Sequence, residues 1–406
     1  MNKHALYLSY DGMTDPLGQS QVLPYIIGLQ QKGIAFTLIS FEKIERFKEE
    51  GAAIKRICVT HNIDWQPFFY TKRPKVLSTL FDLIKIYPVI KRLMKTKKVD
   101  LVHCRSYITA LIGLRLKRKY GIKFIFDMRG FWVDERVEGG IWNLKNPVFS
   151  MIYRFFKQKE KAFLCESDAI VSLTHNGKEE LLSWSLNKVD ANKINVIPCC
   201  VDLEKFNPNI INQIETEALK KTLKLQGHFI VGYIGSIGTW YLLEEMLQFF
   251  KSIEQDNNPI FLFLTKDPAS NIYAQAEKLN IPIEQIRVLP VKHKEVPLYL
   301  TLFDCSVFFI RSSFSKKASS PTKQGELMAM GIPIICNDGV GDSATIIRDY
   351  QAGQVMKSKN NHEVIVDPLS LTMFDKTATI QGAHSYFDLA SGVERYWDIY
   401  QKLVRE

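Results

Sequence analysis

The segment SSPTKQGELMAMGIPII (residues 319–335) sets a cation, Lys323, and a carboxylate, Glu326, three positions apart at the start of an otherwise apolar helical pattern. Residues at i and i+3 are neighbours on a helix, and the ordinary product of that spacing is a surface ion pair contributing about 0.2–0.5 kcal/mol. The flanking residues point to a second use. CSVFFI (305–310) reads as a buried strand and RSSFSKKASS (311–320) as a polar loop, so this helix begins where a strand has just ended. Ser320 is placed to cap it and Pro321 to take its first position, where a missing N–H costs nothing. Gly331 and Pro333 close it. A helix start presents unpaired N–H groups and a positive dipole end, which suit phosphate; Arg311, Lys316, Lys317 and Lys323 gather around this one. Gly325 inside the helix costs about 1 kcal/mol relative to Ala, a cost that makes sense where a backbone or ligand must come close. Glu326 cannot bind phosphate, but it can accept hydrogen bonds from a ribose diol. Phosphates plus sugar hydroxyls mean a nucleotide.

The elements that must position these residues alternate between short β-rich runs and helical stretches. Strands are expected at 5–10, 35–41, 100–104, 123–127, 169–173 and 194–198, with helices between them, notably at 19–32, 76–97, 106–120 and 147–166. That alternation predicts an α/β fold with a doubly wound parallel sheet. The rhythm breaks over the polar stretch 199–227, read as a linker and a leading helix. It restarts with FIVGYIGSIG (229–238), a helix at 240–254, and strands at 260–265, 286–289, 305–310 and 332–336. Two Rossmann-like domains follow, 1–200 and 201–384, with an aromatic amphipathic tail (385–406) expected to pack back on the first. The natural site for such a pair is a cleft between the C-terminal ends of both sheets.

Composition narrows the classes. No stretch approaches the ~18 consecutive apolar residues of a membrane-spanning helix, and MNKHALYLSYDG lacks the apolar core and cleavage site of a signal peptide. A cytoplasmic protein is expected. Seven cysteines form no C-x-x-C pair, the eight histidines show no ligand spacing, and no D-x-D occurs; a disulfide framework, a metal site and a resident cofactor are not expected. Residues 1–200 hold 32 Lys/Arg against 19 Asp/Glu, whereas 201–406 hold 21 against 24. The basic first half is compatible with a solvated face or an anionic membrane surface; no nucleic-acid recognition module is visible. The helix at 76–97, which mixes apolar residues with lysines, reads equally as an interfacial helix and as a core helix with a basic outer face.

The motif PTKQGELMAMGIPII resembles the nucleotide-sugar motif of the family-4 (group 1) retaining glycosyltransferases, which share the two-domain GT-B fold. DGMTDPLGQSQVLPYIIGLQQKG, FDMRGFWVDE, SDAIVSLTHNGKEEL, INVIPCCVDLEKFNP and IVGYIGSIGTWYLLEEML agree with that family in order and spacing. The resemblance implies that Glu326 binds the donor ribose and that Lys323 and Arg311, with Thr322 beside them, face its diphosphate. It also implies that Gly18, in the loop after the first strand, brings its backbone to the donor, and that Gly235, Ser236 and Gly238 lie beside the phosphates. Leu289–Val291 match the loop that reads the base through backbone groups. Asp127 or Arg129 would orient the sugar or acceptor; a strand-end ion pair explains them as well.

The implied reaction moves a sugar, with retention and without a metal, from a UDP- or GDP-sugar to a glycan or lipid-linked acceptor. Surface polysaccharide synthesis on the inner membrane face is the implied setting. Four positions depart from the common pattern. Ala318 replaces a second glutamate, Ser236 and Trp240 stand where an Arg and a Lys are usual, Arg129 takes a place often held by His, and Cys199–Cys200 replace an Asn-Gly turn. An epimerase or phosphorylase of the same fold, or a non-catalytic nucleotide-sugar-binding relative, stays open as an alternative. An oxidoreductase would need G-x-G-x-x-G after a first strand, and neither sheet start supplies it.

Overall fold

The computed structural model describes residues 3–71, 78–184, 189–253, 258–359, 363–364 and 374–405. The basic run at 72–75, residues 76–77 of the helix expected at 76–97, and residue 254 of that expected at 240–254 lie outside them. The chain divides into two compact units, Met1–Pro198 with Leu389–Glu406, and Cys199–Asp388.

In the first unit the elements run β1 (Lys3–Ser9), α1 (Pro16–Gln21), α2 (Leu23–Gln31), β2 (Ile34–Glu42), α3 (Ile44–Thr60), β3 (Ile63–Phe69), α4 (Ser78–Thr96), β4 (Leu101–Arg105), α5 (Ser106–Tyr120), β5 (Lys123–Asp127), α6 (Trp132–Glu138), α7 (Pro147–Glu166), β6 (Ala169–Ser172), α8 (His175–Ser183) and β7 (Ile194–Val196). Its seven strands lie in the order β3-β2-β1-β4-β5-β6-β7, all parallel. A parallel strand covered on both faces is apolar where it is covered, and β1 is so over its centre: Ala5, Leu6, Tyr7 and Leu8 are all buried. The edge strand β3 escapes that rule. It carries Asp64, Gln66 and Pro67, and a proline that cannot donate to a ladder is tolerated at an edge.

Three sequence expectations change here. The helix at 19–32 is two helices that break at Val22 (φ −130°), because Pro24 opens α2 and cannot continue α1. Gly18 lies inside α1 rather than in the loop before it. The third concerns α4, which has a core-facing stripe and also exposes apolar residues beside its basic ones. Ser78, Asp82, Ile86, Ile90 and Leu93 form its buried stripe, while Leu80, Phe81 and Ile84 are exposed alongside Lys91, Arg92 and Lys95.

The second unit runs α9 (Gln213–Thr222), β8 (Ile230–Ile234), α10 (Leu243–Lys251), β9 (Ile260–Leu264), α11 (Ala269–Lys278), β10 (Ile286–Leu289), α12 (Val296–Leu300), β11 (Cys305–Phe308), α13 (Thr322–Ala329), β12 (Ile334–Asn337), α14 (Ser343–Asp349), β13 (Gly353–Met356) and α15 (Lys376–Gly382). Six parallel strands lie in the order β10-β9-β8-β11-β12-β13. The core is rich in phenylalanine, with Phe249, Phe250, Phe261, Phe263 and Phe309 fully buried.

The last helix, α16 (Leu389–Arg405), belongs to the first unit. It lies against α2, where a Cβ on Gly28 would come within 2.7 Å of Val393, so glycine is what allows the two helices to approach. Val393, Tyr396, Ile399, Tyr400 and Leu403 are buried along one stripe. Lys32 reaches Glu394 at 2.6 Å on the solvent side.

Candidate active site

In the second unit, β8 is followed by Gly235, whose φ of +102° is open to glycine and strained for other residues. The turn is tied down: Tyr233 donates its hydroxyl to the Ser236 carbonyl at 2.6 Å. Asp267 accepts from the Ser236 hydroxyl at 2.8 Å and from the Ile237 N–H at 2.6 Å. The Ser236 hydroxyl is thus already engaged, and the serine shapes the turn.

Lys323, in the first turn of α13, points at this turn. Its Nζ lies 3.5 Å from where a Cβ on Gly235 would sit. The ammonium stands 4.0 Å from the Tyr233 ring centre and 3.8 Å from that of Tyr241. It is buried and has no hydrogen-bond partner among the described residues. Burial pushes its pKa well below the ordinary lysine value, with Glu326 opposing. The surface ion pair suggested by the i, i+3 spacing does not form, since both side chains are buried and the lysine head is held by aromatic faces instead. A desolvated cation over a ring is worth about 2 kcal/mol, less than the cost of leaving a buried polar group without hydrogen bonds.

Trp240 precedes Tyr241 and carries two more cations, the Arg311 guanidinium at 4.8 Å and Lys316 Nζ at 3.7 Å from its ring. Segment 240–242 is anchored by Arg311 N–H to the Trp240 carbonyl, 2.9 Å, and Leu242 N–H to the Phe309 carbonyl, 2.9 Å. Asn337 at the end of β12 clamps the same stretch: its Oδ1 accepts from Ile310 N–H at 2.8 Å and its Nδ2 donates to the Ile310 carbonyl at 2.9 Å. Three basic side chains are thus held against the Tyr233, Trp240 and Tyr241 rings, Lys323 at a helix start that offers N–H donors.

Two details of the helix start differ from expectation. Pro321 is itself the N-cap of α13, and the Ser320 hydroxyl accepts from the Cys199 N–H at 3.2 Å rather than capping the helix. Gly325 is small for packing, not for a ligand. A Cβ there would fall 2.8 Å from Val201 and 3.0 Å from Phe387, whose carbonyl accepts from Val201 N–H at 2.7 Å. Thr322, the first helical residue, is half-buried beside Lys323.

Glu326 lies one turn further along, buried, with Oε1 3.6 Å from His293 Nε2. His293 Nδ1 in turn accepts from Lys205 Nζ at 2.7 Å. Neither residue is marked by the sequence, because each comes from a loop distant along the chain from Glu326. Leu289 and Val291, half-buried, lead into the loop that carries His293, and the Leu289 carbonyl accepts from Thr265 N–H at 3.0 Å.

In the first unit, Asp127 ends β5 and is 1% exposed. Tyr396 donates to its Oδ2 at 3.2 Å, and His103 Nε2 lies 3.5 Å away. Burial pushes the Asp127 pKa up, but Arg129, His103 and Arg105 outweigh it and hold the carboxyl below its ordinary value. Burial lowers the pKa of His103, with Asp127 opposing. Arg129, half-buried, sits at φ +56° just before Gly130 at φ +105°. Such a left-handed residue stores strain of about 1–3 kcal/mol. Asp127 is enclosed among these groups, and its charge interacts with that of Arg129.

Gly18 has a structural demand of its own: a Cβ would fall 2.1 Å from the Gly12 carbonyl oxygen. The loop before it is built on Glu42, a fully buried carboxylate that sequence reading passed over. It accepts from the N–H groups of Met13 (2.8 Å) and Thr14 (3.0 Å) and from the hydroxyls of Thr14 and Ser40 (both 2.6 Å).

Two family models match the chain: Glycosyltransferase Family 4 over residues 22–205, and Glycosyl transferases group 1 over residues 215–377. The chain belongs to the family-4, group 1 glycosyltransferases. This glycosyltransferase is 21% identical over 401 residues to the Escherichia coli UDP-Gal:alpha-D-GlcNAc-diphosphoundecaprenol alpha-1,3-galactosyltransferase, an alignment that covers 95% of this chain and 96% of the relative. Among solved structures it resembles Anabaena HepE in complex with UDP and glucose, with a TM-score of 0.70 and 11% identity over 98% of this chain and 100% of that one. It also resembles a glycosyltransferase from Rickettsia africae, with a TM-score of 0.71 and 15% identity over 100% and 99%. These likenesses place the glycosyltransferase in the GT-B fold.

Proposed function

We propose that this glycosyltransferase transfers a sugar from a UDP- or GDP-sugar to a glycan or lipid-linked acceptor, with retention of configuration, in surface polysaccharide synthesis. The observation that carries the reading is Lys323, a buried amine with no hydrogen-bond partner among the described residues, aimed at the Gly235 turn with Glu326 one turn behind it. A diphosphate supplies the acceptors that ammonium lacks, and a ribose diol supplies donors to Glu326. Arg311 and Lys316 add charge from the Trp240 side, so the chain's own cations stabilise the leaving group as the glycosidic bond breaks. Arg129, on its strained turn, orients the sugar or the acceptor. The Escherichia coli relative acts, by its name, on a diphosphoundecaprenol substrate, which supports a lipid-linked acceptor here.

Contact with the inner face of a membrane belongs to the same reading. Among the described residues no helix is long and apolar enough to cross a membrane. Two helices of the first unit nevertheless carry apolar residues facing outward. On α4 these are Leu80, Phe81 and Ile84; on α7 they are Val148, Met151 and Phe155, spaced i, i+3 and i+7. A helix joining parallel strands starts near their carboxyl ends, so both groups lie at the end of the sheet where Arg129 sits. Lysines and arginines further along the same helices suit anionic headgroups.

The test is a thermal-shift panel of UDP, GDP, CDP and ADP on the wild type and on Glu326→Ala. A ligand at 100 times its dissociation constant stabilises by about 2.7 kcal/mol. One or two diphosphates shifting the wild type but not the variant would support the site and name the base. A variant that shifts as far as the wild type would remove Glu326 from the site.

A further inference from the structure

We infer that Lys205 and His293 position the Glu326 carboxylate for the donor ribose, so that the nucleotide sugar is gripped by a relay of three side chains. The inference rests on the reading of Glu326 as the ribose acceptor and goes beyond it by assigning two residues that no sequence pattern marks.

The argument begins with hydrogen-bond roles. A lysine ammonium only donates, so at 2.7 Å from Lys205 Nζ the Nδ1 of His293 must be the acceptor. A neutral imidazole that accepts at Nδ1 carries its proton on Nε2, the atom that faces Glu326 Oε1 at 3.6 Å. Lys205 therefore selects the tautomer in which His293 donates toward the carboxylate. That separation lies just outside hydrogen-bond range, and contacts of this kind commonly tighten when the ligand binds.

The relay is also braced. Phe206 packs against the His293 ring, with centroids 6.0 Å apart, and Lys205 lies 5.5 Å from the Phe206 ring centre. Burial lowers the Lys205 pKa, with Glu326 and Asp202 opposing. The consequence for binding is geometric. A carboxylate oxygen has two lone-pair directions, and a donor from His293 on one of them fixes the plane in which the remaining ones face a diol. His293 stands four residues beyond Leu289, in the loop between β10 and α12. The loop expected to read the base therefore also steers the carboxylate expected to read the ribose.

The test uses binding of UDP and GDP and of their 2′,3′-dideoxy analogues, with donor KM and kcat measured alongside. His293→Ala is expected to weaken the diphosphate that binds, and to raise donor KM, by roughly tenfold, the loss of one hydrogen bond to a charged group. The turnover number should stay within about twofold, because the relay acts on the ribose and not on the breaking bond. The same variant should leave the dideoxy analogue's affinity unchanged. His293→Gln, whose amide nitrogen can take the place of Nε2, should recover most of the affinity. Lys205→Met, which frees the tautomer, should fall between. His293 is exposed, so an altered melting temperature is not expected and serves as the folding control. An equal loss for UDP and dideoxy-UDP in His293→Ala, or no loss for either, overturns the relay. A Glu326→Ala variant with undiminished preference for UDP over its dideoxy form overturns the ribose reading itself.

Discussion

Lys323 is an ammonium that the fold keeps dry, and its energetics carry a sign that can be checked. Its pKa in the folded protein is well below the ordinary lysine value, chiefly through burial. Between the folded and unfolded values the unfolded chain binds the extra proton. Stability therefore rises with pH through that window, and at lower pH the folded state carries the whole cost of the buried charge. Lys323→Met removes that cost. It should raise the melting temperature by about 2–4 °C while abolishing the shift caused by a nucleoside diphosphate. A lower melting temperature, or a ligand shift that survives, would count against the dry-ammonium account. A bound diphosphate favours the charged form, so at pH above the Lys323 pKa binding should take up a proton. The affinity for UDP or GDP should then fall as pH rises above the Lys323 value, and calorimetry in two buffers of different ionisation enthalpy would count the protons. Lys323 and Glu326 were legible in the sequence because a single stretch holds both. His293, Lys205, Asn337 and Glu42 were not, because each acts on a segment far away in the chain. At Gly325 and Gly18 the structure shows a demand of its own that the sequence did not reveal: an added Cβ would meet the protein's own Val201, Phe387 and Gly12.

Among the elements, buried strands were the easiest to read, since an apolar run has few other meanings. β5, α5 and α7 coincide with the expected ranges. The omissions share a cause. β3 and β13 are edge strands with diluted patterns, and α3 (IERFKEEGAAIKRICVT) buries only Gly51, Ile54 and Cys58 among polar neighbours. α7 poses the opposite problem, because it is apolar on two sides. Phe156, Phe163 and Leu164 face the core, while Met151 remains 65% and Phe155 43% exposed. Aqueous solvent alone gives no reason for that second stripe. Met151→Glu with Phe155→Glu should leave the melting temperature within about 1 °C, since solvent-facing changes seldom cost more than ~0.5 kcal/mol. The double variant should bind vesicles of anionic phospholipid at least about tenfold more weakly, measured by co-sedimentation. Equal sedimentation of both proteins would remove α7 from the membrane reading. A change in oligomeric state on mutation would assign the stripe to a second copy of the chain.

At the scale of the whole molecule, two parallel sheets with interleaved helices were legible from the restart of the strand rhythm near residue 229. Less legible was how completely the first unit depends on α16. Val393, Tyr396, Ile399, Tyr400 and Leu403 are buried there, and at about 1.5–3 kcal/mol each their burial is comparable to the entire 5–15 kcal/mol stability of a typical domain. Tyr396 and Tyr400 also complete the polar cluster at Asp127 and His103. Ending the chain after Asp388 should therefore leave residues 1–198 without a cooperative transition, while the second unit keeps its diphosphate-induced shift. Differential scanning calorimetry with and without UDP or GDP separates the two. A first unit that still melts cooperatively would show that α16 is an accessory.

The same helix inverts the timetable of synthesis. The strands of the first sheet leave the ribosome early, yet the piece that seals them is encoded about 190 residues later. At 5–20 residues per second that is a wait of roughly 10–40 s, during which Tyr25, Phe36 and His103 have no lid. The second unit, whose elements are contiguous, can finish folding in that interval. The half of the enzyme made first is thus the half completed last, and its unsealed face is what a chaperone would meet on the nascent chain.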